Sequence, residues 1–196
     1  MLAESWPLLL FVFAGLFSPG PNVVMLTTSG ARFGFRATVP HLLGVPVGTG
    51  CIAATSAFGI GAALLAAPGL KLAFQLLAAG WILWLAWRTA QAGRAGRGTQ
   101  VGKPFSFAQA VLFQAVNPKI WAVTIAASAG FGIGLAPQSE ALRLFIVFAG
   151  INLFVCIFWT LAGQMLARLL QSEAAWRVFM TVMAALMAAT VVLIFL

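Results

Sequence analysis

Hydrophobic residues fall into six long runs, near residues 6–29, 38–66, 70–90, 107–130, 142–166 and 175–196, separated by short polar gaps. About 20 apolar residues cross a bilayer core, so each run predicts one transmembrane helix. Polar positions inside the runs are sparse and periodic. In the fourth run Gln114, Asn117, Trp121, Thr124 and Ser128 recur at steps of three and four, which is one face of a helix. The second run carries His41, Gly44, Gly48, Cys51 and Thr55 with the same stepping. The fifth carries Asn152, Cys156, Thr160 and Gln164 at every fourth position. The third offers only Gln75, and the sixth little beyond Thr181 and Thr190. Runs one, two, four and five are therefore expected to line a common centre, with runs three and six outside them.

The first run is interrupted near its middle by Ser18-Pro19-Gly20-Pro21-Asn22. Proline removes a backbone donor and clashes with the preceding turn, and glycine adds slack, so a continuous helix is not expected there. A shift of 96 residues lays Leu16-Phe17 on Leu112-Phe113, Thr28 on Thr124, and Gly34-Phe35 on Gly130-Phe131. It also lays Pro21-Asn22 on Asn117-Pro118. Three runs per half is an odd number, which inverts the second half in the membrane. The predicted fold is thus an all-α membrane protein of six transmembrane helices in two inverted three-helix repeats. It forms a single integral membrane domain over 1–196, with halves of about 1–95 and 96–196 and a basic loop at about 91–106. Proline-interrupted spans at matching positions of inverted halves point to a transporter's binding site.

Composition agrees with a membrane protein: 62% of the residues are hydrophobic and only 7% charged, too few charges to cover a soluble domain. The net charge of +8 invites a nucleic-acid reading, but the charges sit in the gaps between runs. Arg32 and Arg36 lie in the first connection, Arg88, Arg94, Arg97 and Lys103 in the third, and Arg168 and Arg177 in the fifth. Only Lys71 and Arg143 lie in the second and fourth. That bias predicts connections one, three and five in the cytoplasm and both termini outside. The start, MLAESWP, holds Glu4 and no Lys or Arg, so it reads as an uncleaved first span. Cys51 and Cys156 lie far apart, giving no disulfide framework and no zinc spacing. No metal site, no cofactor, no nucleophile–base set and no phosphate loop is visible, so an enzyme is not expected.

The two breaks supply the candidate chemistry. Each presents a short-helix N-terminus with unpaired N–H groups and a positive dipole end, suited to a carboxylate. Each also leaves upstream carbonyls without helical donors, suited to an ammonium group. Ser18, Pro19, Gly20, Pro21, Asn22, Gln114, Asn117, Pro118 and Lys119 are the candidate substrate-binding residues. Gly44, Gly48, Thr55, Thr124, Asn152 and Thr160 are candidates for lining a pathway, although Gly44–Gly48 is also an ordinary GxxxG packing contact. In a continuous helix Lys119 would point about 200° away from Asn117. Either the break redirects it inward, or it snorkels to the membrane face. His41 and Lys119 are the ionisable groups within the spans and so the candidates for proton coupling. With no carboxylate there, a neutral zwitterion or an acid suits the site better than a dibasic amino acid. Trp81, Trp84 or Trp121 offer cation–π contact, whereas Trp6, Trp87 and Trp176 fall where an interfacial belt is expected.

Three segments, Ser18–Asn22, Asn117-Pro118-Lys119 and AAGWILWLAWR at 78–88, resemble the lysine-exporter (LysE/RhtB-type) family of amino-acid efflux proteins. The resemblance covers nearly the whole chain, and its six spans and basic third connection agree. It implies a small secondary transporter in a bacterial inner membrane that exports an amino acid or a derivative, driven by the proton gradient. Its implied partners are a small-molecule substrate, the lipid bilayer and optionally a second copy in a homodimer, with no nucleic acid. Two departures stand out. Trp81 occupies the place of a tyrosine common in relatives, and the acidic residue many relatives carry within the membrane is missing. Two other functions compete with export: a membrane thiol–disulfide electron carrier built on Cys51 and Cys156, and a passive channel or inorganic-ion exporter.

Overall fold

The computed structural model describes residues 2–60, 66, 68–96 and 102–195, and among these the chain forms helices and no strand. In chain order the helices are α1 (Leu2–Phe17), α2 (Pro21–Ala57), α3 (Pro68–Ala95), α4 (Phe107–Val116), α5 (Pro118–Gly130), α6 (Pro137–Leu169), α7 (Glu173–Ala189) and α8 (Val192–Phe195). The end of the second predicted run, and Arg97 in the basic loop, lie outside the described residues.

The first predicted connection is a turn inside a helical element rather than a loop. Gly34 has φ 78° and ψ 170°, a backbone conformation that side chains disfavour and glycine tolerates. Nine residues of straight helix would hold Ser29 and Thr38 about 13.5 Å apart. Their hydroxyls instead meet at 3.1 Å, so α2 folds back at Gly34 into two arms. Phe35 N–H, released from the helical pattern, donates to Gln164 Oε1, and the Thr38 hydroxyl donates to Gly34 C=O at 2.8 Å. Arg32 and Arg36 flank this turn.

The two arms pack mainly on α6, and glycine permits the close approach. A Cβ at Gly30 would collide with the carbonyl of Thr160, and one at Gly163 with the carbonyl of Thr27. The first contact joins arm one to α6, and the second joins α6 back to the same arm. This is small-residue packing of the kind membrane helices use in place of a hydrophobic driving force. Leu8, Val12, Ile52, Ile120, Leu144 and Phe148 fill the space between α1, α2, α5 and α6. α3 and α7 pack chiefly on each other, through Ala92, Trp176, Phe179 and Met180. Trp176 is buried there, not at the lipid surface where the sequence pattern placed it, whereas Trp6 and Trp87 are exposed.

By length and composition α2 and α6 can each cross a membrane, and the pair α4–α5, bent by 67° at Asn117, counts as a third span when taken together. The apolar side chains of Leu10, Leu77, Leu112, Leu142, Phe154 and Val178 stand exposed around the bundle. Such a surface is costly in water and ordinary in lipid. At one end of the bundle Arg143 bonds Glu140 on its own helix and the Phe131 carbonyl at the end of α5.

Candidate functional site

The two helix breaks meet. Between α1 and α2 the chain runs through Ser18, Pro19 and Gly20; between α4 and α5 it bends at Asn117. Asn22, one residue into α2, and Gln114 in α4 join by two side-chain bonds. Asn22 Nδ2 donates to Gln114 Oε1 at 2.8 Å, and Gln114 Nε2 donates back to Asn22 Oδ1 at 3.2 Å. Lys119, the second residue of α5, reaches across to the first break. Its ammonium donates to the Ser18 carbonyl at 2.6 Å and approaches the Pro19 carbonyl at 3.4 Å. The bend turns Lys119 toward the first break, where it meets the carbonyls of the exposed residues Ser18 and Pro19.

Each bond follows from what proline removes. In an unbroken helix the carbonyl of residue i accepts from the N–H of residue i+4. Gly15 C=O would need the N–H of Pro19, which does not exist; the Ser18 hydroxyl donates to it instead, at 2.9 Å. Ser18 C=O and Pro19 C=O would accept from Asn22 and Val23, but the extended backbone at Gly20 (φ −179°, ψ 178°) swings them away to Lys119. The helical pattern resumes with Val24 N–H on Gly20 C=O at 3.1 Å. No side chain caps α2, so the Asn22 and Val23 N–H groups face the junction at the positive end of a helix dipole.

The second break is closed on itself. Asn117 Oδ1 accepts from Lys119 N–H at 3.2 Å as the N-cap of α5, and Asn117 C=O accepts from Ile120 N–H at 3.1 Å. Gln114 C=O, whose helical donor would have been Pro118, takes Asn117 N–H at 3.2 Å. Ala115 C=O has lost Lys119 N–H to the cap, and the Trp121 indole N–H replaces it at 2.8 Å.

A cavity of about 10 Å³ lies where the breaks meet, lined by Gly20, Asn22, Asn117, Lys119, Asn152 and Trp159 among others. That is room for about one water and far too little for an amino acid. Asn152 enters from α6, held by Nδ2 on the Thr49 hydroxyl at 2.9 Å, with the Cys156 thiol 3.6 Å from its Oδ1. Of the residues expected along a pathway, Asn152 borders this cavity. Gly44 and Gly48 are wedged against α4, with Phe107 C=O and the Gln114 side chain where a Cβ would sit. Thr124 accepts from the Ser56 hydroxyl at 3.0 Å, Thr160 donates to Cys156 C=O at 2.7 Å, and Thr55 donates to Ile52 C=O at 2.8 Å. His41 lies away from the breaks, buried against Phe105.

Sequence reasoning missed Val155 and Trp159, which also line the cavity. Counting in fours along α6 gave Asn152, Cys156 and Thr160. The helical face is better described by 152, 155, 156 and 159, the i, i+3, i+4, i+7 pattern, and that pattern would have found both. Cys51 is exposed on α2 and Cys156 buried on α6.

Among known proteins, the chain is 30% identical over 174 residues to the cysteine/O-acetylserine efflux protein of Escherichia coli (strain K12), which covers 86% of this chain and 85% of that one. The proteins of the same name in Shigella flexneri serotype 5b (strain 8401) and Shigella sonnei (strain Ss046) match to the same extent. No solved structure matches. The family model for LysE type translocators matches residues 13–195, so this chain, with its two facing helix breaks, belongs to that family of translocators and is a transporter rather than an enzyme.

Proposed function

We propose that the protein exports a small zwitterionic amino acid or derivative, of the size and charge of cysteine or O-acetylserine, across a bacterial inner membrane in exchange for protons. The carrying observation is the junction itself. An ammonium group already sits on the Ser18 and Pro19 carbonyls, and uncapped N–H groups lie beside it on α2. A substrate ammonium can take the place of Lys119 on those carbonyls. Lys119 then turns to the substrate carboxylate, which the Asn22 and Val23 N–H groups share. The Asn22–Gln114 amide pair opens to the remaining polar atoms. Each bond lost has a counterpart gained, so opening the junction around a zwitterion is far cheaper than opening it empty. A dibasic substrate brings a second cation for which the site holds no carboxylate. The names of the relatives point to the same neutral class. Lys119, which touches both breaks, is the proton-coupling group in this reading, in preference to His41.

We place six spans in the membrane as two inverted halves: α1 with the first arm of α2, the second arm of α2, α3, α4–α5, α6 and α7. The basic turns face the cytoplasm and both termini face outside.

The test is an export assay for cysteine and O-acetylserine in cells that express or lack the protein. Wild type should lower the cytosolic level and raise tolerance. Lys119→Met should reduce export at least about tenfold at equal membrane level, since losing one charged hydrogen bond is worth about 1.5–3 kcal/mol. Asn22→Ala and Pro118→Ala, which remove the amide pair and the proline at the bend, should reduce it as well. Full export by all three variants would overturn the site. Unchanged export after replacing both cysteines by alanine would exclude thiol–disulfide chemistry.

A further inference from the structure

A second polar cavity lies apart from the breaks and shares no residue with theirs. It holds about 60 Å³, enough for a carboxylate or several waters. The fold-back at Gly34 builds it, by returning His41 on the second arm of α2 to the level of Thr28 and Ser29 on the first. α3 adds Arg88, and the stretch leading into α4 adds Lys103; with Arg32 this makes three cations around one space, and no acid stands among the described lining residues. Arg32 and Arg88 lie close enough to act on each other electrostatically. Like charges gathered at a partly buried space invite an anion.

Three buried polar atoms point to the same conclusion. His41 is 2% exposed and Thr28 5%, and both line the cavity. Neither ring nitrogen of His41 nor the hydroxyl of Thr28 has a hydrogen-bond partner among the described residues. Buried polar atoms left unpaired are rare because they forfeit their hydration, and an oxyanion in the cavity would accept from the Thr28 hydroxyl and from the one N–H of a neutral His41 ring. Guanidinium groups bind carboxylates in paired, planar fashion, which favours that oxyanion.

We propose that this cavity is an outer loading site that holds the carboxylate of the substrate before it reaches the breaks. The proposal rests on the export reading above. Thr28 is six residues along α2 from Asn22, so the two sites are about 9 Å apart along one helix arm. A carboxylate gathered by Arg32, Arg88 and Lys103 needs only a short step to the uncapped N–H groups of the junction.

Two measurements test it. In proteoliposomes with substrate presented at the basic face, Arg32→Gln/Arg88→Gln should raise KM for O-acetylserine at least tenfold and leave kcat within twofold. Arg88→Lys and Thr28→Val, milder changes that keep the fold, should raise KM three- to tenfold. In detergent, acetate and inorganic phosphate at fixed ionic strength should raise the melting temperature of wild type, and not that of the double variant, while chloride should not. Unchanged KM in all variants, or equal stabilisation of wild type and double variant by acetate, overturns the loading site. So does an anionic phospholipid that copurifies one-to-one with wild type and is lost in Arg88→Gln, since the anion is then a lipid phosphate. A wild type that exports no amino acid yet keeps the acetate effect would sink the export reading and leave the oxyanion cavity standing.

Discussion

The two breaks have the same cause and opposite outcomes. In both, proline deletes backbone donors in the middle of an apolar helix. At Asn117 the break is repaired from its own segment: the side chain caps α5, Asn117 N–H takes the Gln114 carbonyl, and the Trp121 indole fills the place of a lost N–H. At Ser18–Gly20 nothing local caps α2, and two carbonyls depend on an ammonium from the other half of the chain. One break is finished and the other is completed by a removable group. A membrane helix can be interrupted for structure or for exchange, and the difference lies in who satisfies the freed groups.

Several variants probe that contrast, in falling order of effect. Lys119→Met should be the most severe. It strips the first break of its cation, lowers stability by about 1.5–3 kcal/mol and cuts export at least tenfold, read by thermal melting and flux. Asn22→Ala or Gln114→Ala alone strips the remaining amide of both cross-break bonds and should cost about 1–3 kcal/mol. The double variant should be no worse than the harsher single one, and simple additivity in a double-mutant cycle would show the pair to be uncoupled. Gly20→Ser offers α2 the cap it lacks. Its backbone is extended, which serine adopts, and its Cβ would press on the flexible end of Lys119 at 3.0 Å. Export should fall about fivefold with stability kept, because the hydroxyl competes for the N–H groups assigned to substrate. Asn117→Ala should lose about 1 kcal/mol of stability, and Asn117→Ser should restore most of it, as expected for a cap. Trp121→Phe should be mildest, at about 0.5–1.5 kcal/mol, with export nearly normal. If Trp121→Phe harmed export as much as Lys119→Met, the two breaks would not differ as described.

Much of this was legible in the residues. Both interruptions are local signals that proline writes directly into a sequence. The destination of Lys119 was not, because a helical wheel presumes the continuous axis that the 67° bend removes. The contact of Gly30 and Gly163 with the facing helix was equally hidden; glycine marks a close approach without naming what approaches. Trp176 looked interfacial by its place at the end of a run and proved buried, since packing between α3 and α7 depends on a neighbour that no local pattern specifies. The cavity at His41 depends on the reversal at Gly34, and a single glycine in Phe33-Gly34-Phe35 does not announce a fold-back.

The smallness of the cavity between the breaks, about 10 Å³, bears on what the protein must not do. Any exporter in an energised membrane sits across a proton gradient that the cell cannot let run down. Here the groups assigned to grip the cargo are the same groups that seal the junction without it: an amide pair and one ammonium on two carbonyls. Recognition and insulation are then one set of bonds. A variant that loosens the grip on substrate should also leak protons, and a tighter seal should come with slower export.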